Sequence, residues 1–112
     1  MNSVNLTGYL GNDAELTMHG SGRGRLGFSV AVTGYGGRDG KGDVQKTTTW
    51  VPCVMWGDRT VPLQRFLAKG AFVEVTGKLQ TYPRKLEDNK VVNVMYVEVD
   101  EIGLGPKRNQ DK

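Results

Sequence analysis

The chain has 112 residues, 38% hydrophobic and 24% charged, which suits one globular domain with one core and excludes a two-domain arrangement, a disordered polymer and a collagen-like one. Sixteen glycines against four prolines imply turns, bulges and loops. The formal net charge of +3 permits a polyanionic partner without demanding one, and the single cysteine, Cys53, leaves no intrachain disulfide and suits a reducing compartment.

Met1 to Thr7 lacks the basic and apolar pattern of a secretion signal, and no apolar run approaches the roughly 18–20 residues that span a bilayer. The expectation is a soluble, cytoplasmic protein with no membrane partner. The first predicted strand is Val4 to Leu10, where Val4, Leu6 and Leu10 alternate with polar or small residues and Gly11-Asn12-Asp13 signals a turn or bulge. The second is Arg25 to Tyr35. Its Leu26, Phe28, Val30 and Val32 share one parity, and Gly27, Ser29, Ala31 and Thr33 share the other, the period of two that a half-buried strand requires. Gly34 to Lys46, rich in glycine and charge, reads as a long flexible hairpin loop.

The third strand is Thr47 to Gly57, opened by consecutive β-branched residues. Cys53 and Met55 lie on one face of it, with Trp50, Pro52, Val54 and Trp56 on the other. Pro52 cannot donate to a ladder and hints at an edge or a bulge. A short helix follows, with Asp58 as a candidate N-cap, an apolar stripe of Val61, Leu63, Phe66 and Leu67, and Lys69-Gly70 at its end. The fourth strand is Ala71 to Tyr82, with Val73, Val75 and Leu79 on the core parity and Lys78, Gln80 and Tyr82 on the polar one. Pro83 to Lys90 reads as a hairpin loop, and the fifth strand runs from Val91 to about Ile102. Residues 1–104 form the predicted domain and 105–112 a short polar tail. Three strands, one short helix and two strands is the element order of an all-β, five-stranded Greek-key barrel of the oligonucleotide-binding type.

Signals for catalysis are poor. His19 is the sole histidine, so neither a two-histidine metal site nor, with one cysteine, a structural zinc site can form. Neither Gly20-Ser21-Gly22-Arg23-Gly24 nor Gly34 to Gly37 follows a strand and opens a helix as a nucleotide loop must. The carboxylates Asp13 and Glu15, or Glu98, Asp100 and Glu101, read as solvated strand ends. No cofactor and no enzymatic activity are expected.

Binding signals are more specific. Single-stranded nucleic acid is held by cations along its backbone and by aromatic faces against its bases, each stacked base contributing roughly 1–3 kcal/mol. Trp50 and Trp56 share a parity opposite the core. Tyr82 shares one with Lys78 and Gln80, and Tyr35 opens the glycine-rich segment beside Arg38, Lys41 and Lys46. Pattern alone leaves these aromatics between ligand contact and packing under a loop or subunit. Phe28 and Phe66 read as core, Tyr96 as structural, and Cys53 as a buried apolar residue.

From about Val4 to Leu104 the chain resembles the bacterial and phage single-stranded DNA-binding proteins. Val4-Asn5-Leu6-Thr7-Gly8-Tyr9-Leu10-Gly11-Asn12-Asp13-Ala14-Glu15 is similar to that family's opening strand and turn, with Ala14 replacing a usual proline. Phe28-Ser29-Val30-Ala31-Val32-Thr33 and Thr49-Trp50 with Val54-Met55-Trp56-Gly57 are similar to its second and third strands. Lys69-Gly70-Ala71-Phe72-Val73-Glu74-Val75-Thr76-Gly77-Lys78-Leu79 matches its most specific passage. The resemblance implies sequence-tolerant binding of single-stranded DNA in replication, repair or recombination, in a bacterial nucleoid or a phage-infected cell. It implies stacking on Trp50 and Trp56, a third stacking position near Tyr35, and a fourth near Tyr82 or Arg84, whose guanidinium can also stack. It makes Arg25, Arg38, Lys46, Lys78 and Lys85 candidates for phosphate contact, and implies a homo-oligomer, dimer or tetramer. The family's usual acidic, phenylalanine-ended tip has no counterpart in Gly105-Pro106-Lys107-Arg108-Asn109-Gln110-Asp111-Lys112, so recruitment of replication or repair proteins is not expected to run through such a tip. Two further functions compete: a replication-restart accessory acting through protein contacts, and RNA binding, which base stacking does not exclude.

Overall fold

In the computed structural model, which describes residues 1–20 and 22–105, the chain forms β1 (Val4–Leu10), β2 (Glu15–Met18), β3 (Gly24–Arg38), β4 (Val44–Trp56), β5 (Phe72–Lys85) and β6 (Val91–Leu104). A single helical turn, α1 (Thr60–Leu63), and a 310 turn (Gln64–Phe66) lie between β4 and β5. The sheet order is β1-β5-β6-β4-β3-β2, and β1 also pairs with β3 at Tyr9–Ala31 and Leu10–Val30, which closes a five-stranded barrel. Closure is tight: a Cβ at Gly8 would run into the carbonyl of Ala31. The expected all-β barrel, with its short helix after the third long strand, is what the chain adopts.

The sixth strand was not expected. Both β1 and β2 run antiparallel to β3, so they run the same way and amount to one strand interrupted at residues 11–14. Ala14 is buried there, its N–H donating to the Leu67 carbonyl at 2.8 Å. Of the turn or bulge that Gly11-Asn12-Asp13 signals, the chain therefore takes the second, a step within one strand and not a reversal.

The core follows the parities of the sequence. Leu26, Phe28 and Val30 of β3, Cys53 and Met55 of β4, Val73 and Val75 of β5, and Val97 and Val99 of β6 are buried with Leu10 and Leu67. Each large side chain buried this way contributes roughly 1.5–3 kcal/mol. Pro52 is accommodated by register. It stands opposite Ser29, whose N–H donates to Asn12 Oδ1 at 3.1 Å and whose carbonyl accepts from Gly11 N–H at 3.0 Å. Ser29 and Pro52 thus form a non-hydrogen-bonded pair, and the missing proline donor costs the β3–β4 ladder nothing.

Several boundaries differ from expectation. Asp58 does not cap the helix: Arg59 holds the N-cap position with no side-chain cap, and the buried Thr60 donates its hydroxyl to the Gly57 carbonyl at 2.6 Å. The inward stripe is the buried Thr60 and Leu67 with the half-buried Leu63, because so short an element turns only one side to the barrel, and Phe66, read as core, is exposed beneath the Arg65 guanidinium. Gly70 takes a φ of 90°, a left-handed turn where a glycine was expected, but after the 310 turn has ended. Leu79 keeps the core parity yet is exposed, while Asn2 exchanges two hydrogen bonds with its backbone.

The first predicted loop is largely strand, and the second is shorter than expected. Gly34 pairs with Thr47, Tyr35 with Lys46 and Arg38 with Val44, with a bulge between Tyr35 and Arg38. Only a tight turn remains, where Asp39 Oδ1 accepts from the N–H groups of Lys41 and Asp43 at 2.8 and 3.0 Å. Pro83, Arg84 and Lys85 likewise continue β5, opposite Asn93, Val92 and Val91. These arms raise the radius of gyration to 16.4 Å, against ~13 Å for a compact chain of this length. Gly105 N–H donates to the Phe72 carbonyl at 2.9 Å, and the rest of the expected polar tail, 106–112, lies outside the described residues.

Candidate nucleic-acid interface

Register carries the outward parities of four strands onto one face. Across β3–β4, Arg25 stands opposite Trp56, Gly27 opposite Val54, Ser29 opposite Pro52 and Ala31 opposite Trp50. Val54 also pairs with Glu98 of β6, and across β6–β5 Glu98 meets Lys78, Tyr96 meets Gln80 and Val94 meets Tyr82. The polar face thus gathers both tryptophans, Tyr82, Arg25 and Lys78. Farther along the same ladder, Tyr35 and Lys46 keep the parity of Ala31 and Trp50.

This face holds an open groove of about 520 Å³, lined among others by Trp56, Val54, Pro52, Tyr82, Tyr96 and Arg25. Gly27, with no side chain, leaves the buried Val54 as an apolar floor. At one side Tyr82 and Tyr96 meet with ring centroids 5.8 Å apart and planes tilted by 56°. On the same face Gln80 Nε2 donates to Glu98 Oε1 at 3.0 Å, which engages that carboxylate. Glu15 supplies a carboxylate to the groove itself.

The tryptophans differ in setting. Trp50 is 60% exposed, yet its indole lies so close to Gly11 that a Cβ there would collide with the ring. The backbone step between β1 and β2 is therefore its seat, and glycine is required for close approach and not for an unusual φ. Trp56 is half-buried and crowded. The Arg23 guanidinium carbon lies 5.0 Å from its ring centroid, that of Arg25 lies 6.0 Å away, and the His19 ring centre lies 5.1 Å away. His19 and Arg23 come from the end of the β2–β3 hairpin, where His19 N–H donates to the Arg23 carbonyl at 2.9 Å.

The expected site residues fall into three groups. Trp50, Trp56, Tyr82, Arg25 and Lys78 share the groove face. Tyr35 and Lys46 stand on the β3–β4 arm with the same parity, and Arg84 continues the Tyr82 parity on the β5–β6 arm. Arg38 and Lys85 stand apart. Arg38 donates to the Gly42 carbonyl at 2.7 Å in the arm's tip, and Lys85 takes the opposite parity to Tyr82. The two ion pairs among the described residues, Arg59–Glu101 and Lys90–Asp88, lie away from the groove, so its cations have no carboxylate partner there. Cys53 faces inward, and burial pushes its thiol up to about 12 from an ordinary 9.0, which leaves it protonated and inert.

His19 and Arg23 were missed by the sequence reading, and Tyr96, read as structural, lines the groove. A histidine and an arginine flanking a glycine-rich turn was the available signal. It becomes meaningful only once β2 folds back on β3 and carries that turn to Trp56.

The family model described as single-strand binding protein family matches residues 1–104. Single-stranded DNA-binding protein 1 of Chlorobaculum tepidum is 38% identical over 96 residues, covering 86% of this chain and 57% of that protein. A single-stranded DNA-binding protein of Clostridium tetani is 30% identical over 103 residues, covering 91% of this chain and 68% of that one. Among solved structures, a chain from a Plasmodium falciparum SSB complex with ssDNA superposes with a TM-score of 0.82 at 22% identity, covering 95% of this chain and 96% of that chain, a likeness of fold.

Proposed function

The chain belongs to the single-strand binding protein family, and on that premise we propose that it binds single-stranded DNA with little sequence preference and without catalysis. The observation that carries this reading is the gathering of Trp50, Trp56 and Tyr82 with Arg25 and Lys78, which have no ion-pair partner among the described residues, on one grooved face. Bases stack on the three aromatics, with Tyr35 or the Arg84 guanidinium as further stacking groups on the arms. Arg25, Lys78, Lys46 and Arg84 follow the phosphates, while Arg38 and Lys85 contribute from the arm tips. Residues 1–104 form the DNA-binding unit, with 105–112 as a polar tail.

In this reading the protein covers strands exposed in replication, repair or recombination, in the cytoplasm and as a homo-oligomer. Among the described residues no helix is long and apolar enough to cross a membrane. The chain spans 57% of the length of its Chlorobaculum relative, so partners engaged by the remainder of such proteins stand outside the proposal.

The test is intrinsic tryptophan fluorescence during titration with oligo-dT, with duplex of equal length as control. Strong quenching by oligo-dT and little by duplex is expected. Tight binding without quenching would remove Trp50 and Trp56 from the contact surface, and no binding at low salt would overturn the proposal in favour of a protein-contact role.

A further inference from the structure

We infer that the end of the β2–β3 hairpin is an additional strand-contacting subsite, in which Arg23 covers Trp56 in the free protein and moves onto a backbone phosphate when a base takes its place on the indole. The inference rests on the groove being a single-stranded DNA site and names a residue and an exchange within it.

The geometry has three parts. The first is the contact itself: the Arg23 guanidinium lies nearest to the Trp56 ring of the two arginines there, at 5.0 Å against 6.0 Å for Arg25. The second is a fixed root under a free side chain. Gly57 N–H donates to the Gly24 carbonyl at 3.0 Å, and Gly24 presses so closely on the buried Thr60 that a Cβ would strike its hydroxyl. The Arg23 carbonyl is held by His19 N–H, whereas the Arg23 side chain is exposed and has no carboxylate partner among the described residues. Its backbone therefore stays in place while the guanidinium can swing. The third is the energetic order of the alternatives. An exposed cation–π contact is weaker than a base stacked on an aromatic ring. A guanidinium displaced by that base finds a better partner in the phosphate, whose oxygens match its planar fork. The cation is thus re-used and not lost, and Arg25, two residues along on the same parity, stands ready beside it.

The experiment has two arms. In a Trp50→Phe background Trp56 is the one remaining tryptophan of the chain's two, and acrylamide quenching of the free protein reports its cover. Arg23→Ala and Arg23→Lys should both raise quenching, since neither leaves a stacked guanidinium. The second arm measures oligo-dT affinity against salt with Trp50 intact. Arg23→Ala should lower the magnitude of the slope of log K on log salt by about 0.7, the loss of one phosphate contact on a single strand, or about fivefold in relative affinity per tenfold of salt. Arg23→Lys should keep the parental slope. An unchanged slope in Arg23→Ala overturns the inference. So does an equal loss of affinity at every salt concentration in both Arg23 variants, which marks a purely structural role. If the parent protein fails to bind oligo-dT at all, the reading of the groove fails instead.

Discussion

The lower and upper halves of the β3–β4 ladder are one antiparallel pair, but only the lower half is scaffold. There Leu26, Phe28 and Val30 stand opposite Met55, Cys53 and Val51, and all but the half-buried Val51 are buried. Above it Thr33, Gly34 and Tyr35 stand opposite Thr48, Thr47 and Lys46, and every β4 residue from Val44 to Trp50 is exposed. Backbone pairing is the same in both halves, so ladder hydrogen bonds do not distinguish a core from a contact surface. What changes is whether side chains on the inner parity have a barrel to face. The upper half stands clear of it and leaves both its faces and its cations exposed.

The sharpest way to break this comparison is to cut into each half and weigh the damage. Leu26→Ala, at a fully buried position, should lower stability by about 2–5 kcal/mol in urea unfolding. Thr48→Ala in the arm should stay within about 0.5 kcal/mol. Comparable losses would mean that the arm is part of the cooperative scaffold.

Trp50, at the junction, should show the reverse profile. Trp50→Ala should weaken oligo-dT binding by about 1–3 kcal/mol while leaving the unfolding midpoint nearly unchanged, and an unaltered affinity would assign it to structure. Gly11→Ala should lose a fraction of the same affinity by unseating the indole, which an altered Trp50 emission would report.

The lower half also carries a pH signature. Well below pH 9.0 the Cys53 thiol is protonated in folded and unfolded chains alike, so it gives pH no leverage. Between pH 9.0 and about 12 the unfolded chain ionises while the native thiol does not, so stability falls as pH rises, on the order of 1 kcal/mol by pH 10. Cys53→Ala should flatten that part of the stability profile, and an unchanged profile would place its cause elsewhere.

The smallest effect belongs to the arm. Binding should weaken linearly in log salt, and Lys46→Ala should reduce the slope by about 0.7 without touching stability. No change in slope would leave Lys46 merely solvated.

Much of the barrel was legible because side-chain alternation is a local property. Leu26, Phe28 and Val30, or Val73 and Val75, announce an inner face through their spacing alone, and the same alternation aligns Trp50 with Trp56. The arms were not legible, since Gly36, Gly37 and Asp39 carry no apolar pattern, and strand pairing there is held by the backbone and by the Asp39 turn. The helix is shorter than its apolar spacing suggests because Val61 and Phe66 fit a helical stripe whose outer edge faces away from the core and stays exposed.

The amino-acid sequence alone thus determined the barrel class, its core parities and the aromatics that share its outer face. Only the tertiary structure decided that β1 and β2 are one interrupted strand, that Gly11 seats Trp50, and that His19 and Arg23 surround Trp56. The reason is physical: alternation is imposed residue by residue by strand geometry, whereas the contacts of Gly11 with Trp50 and of His19 and Arg23 with Trp56 join segments some 33 to 39 positions apart that share no local pattern and meet only when the strands pair.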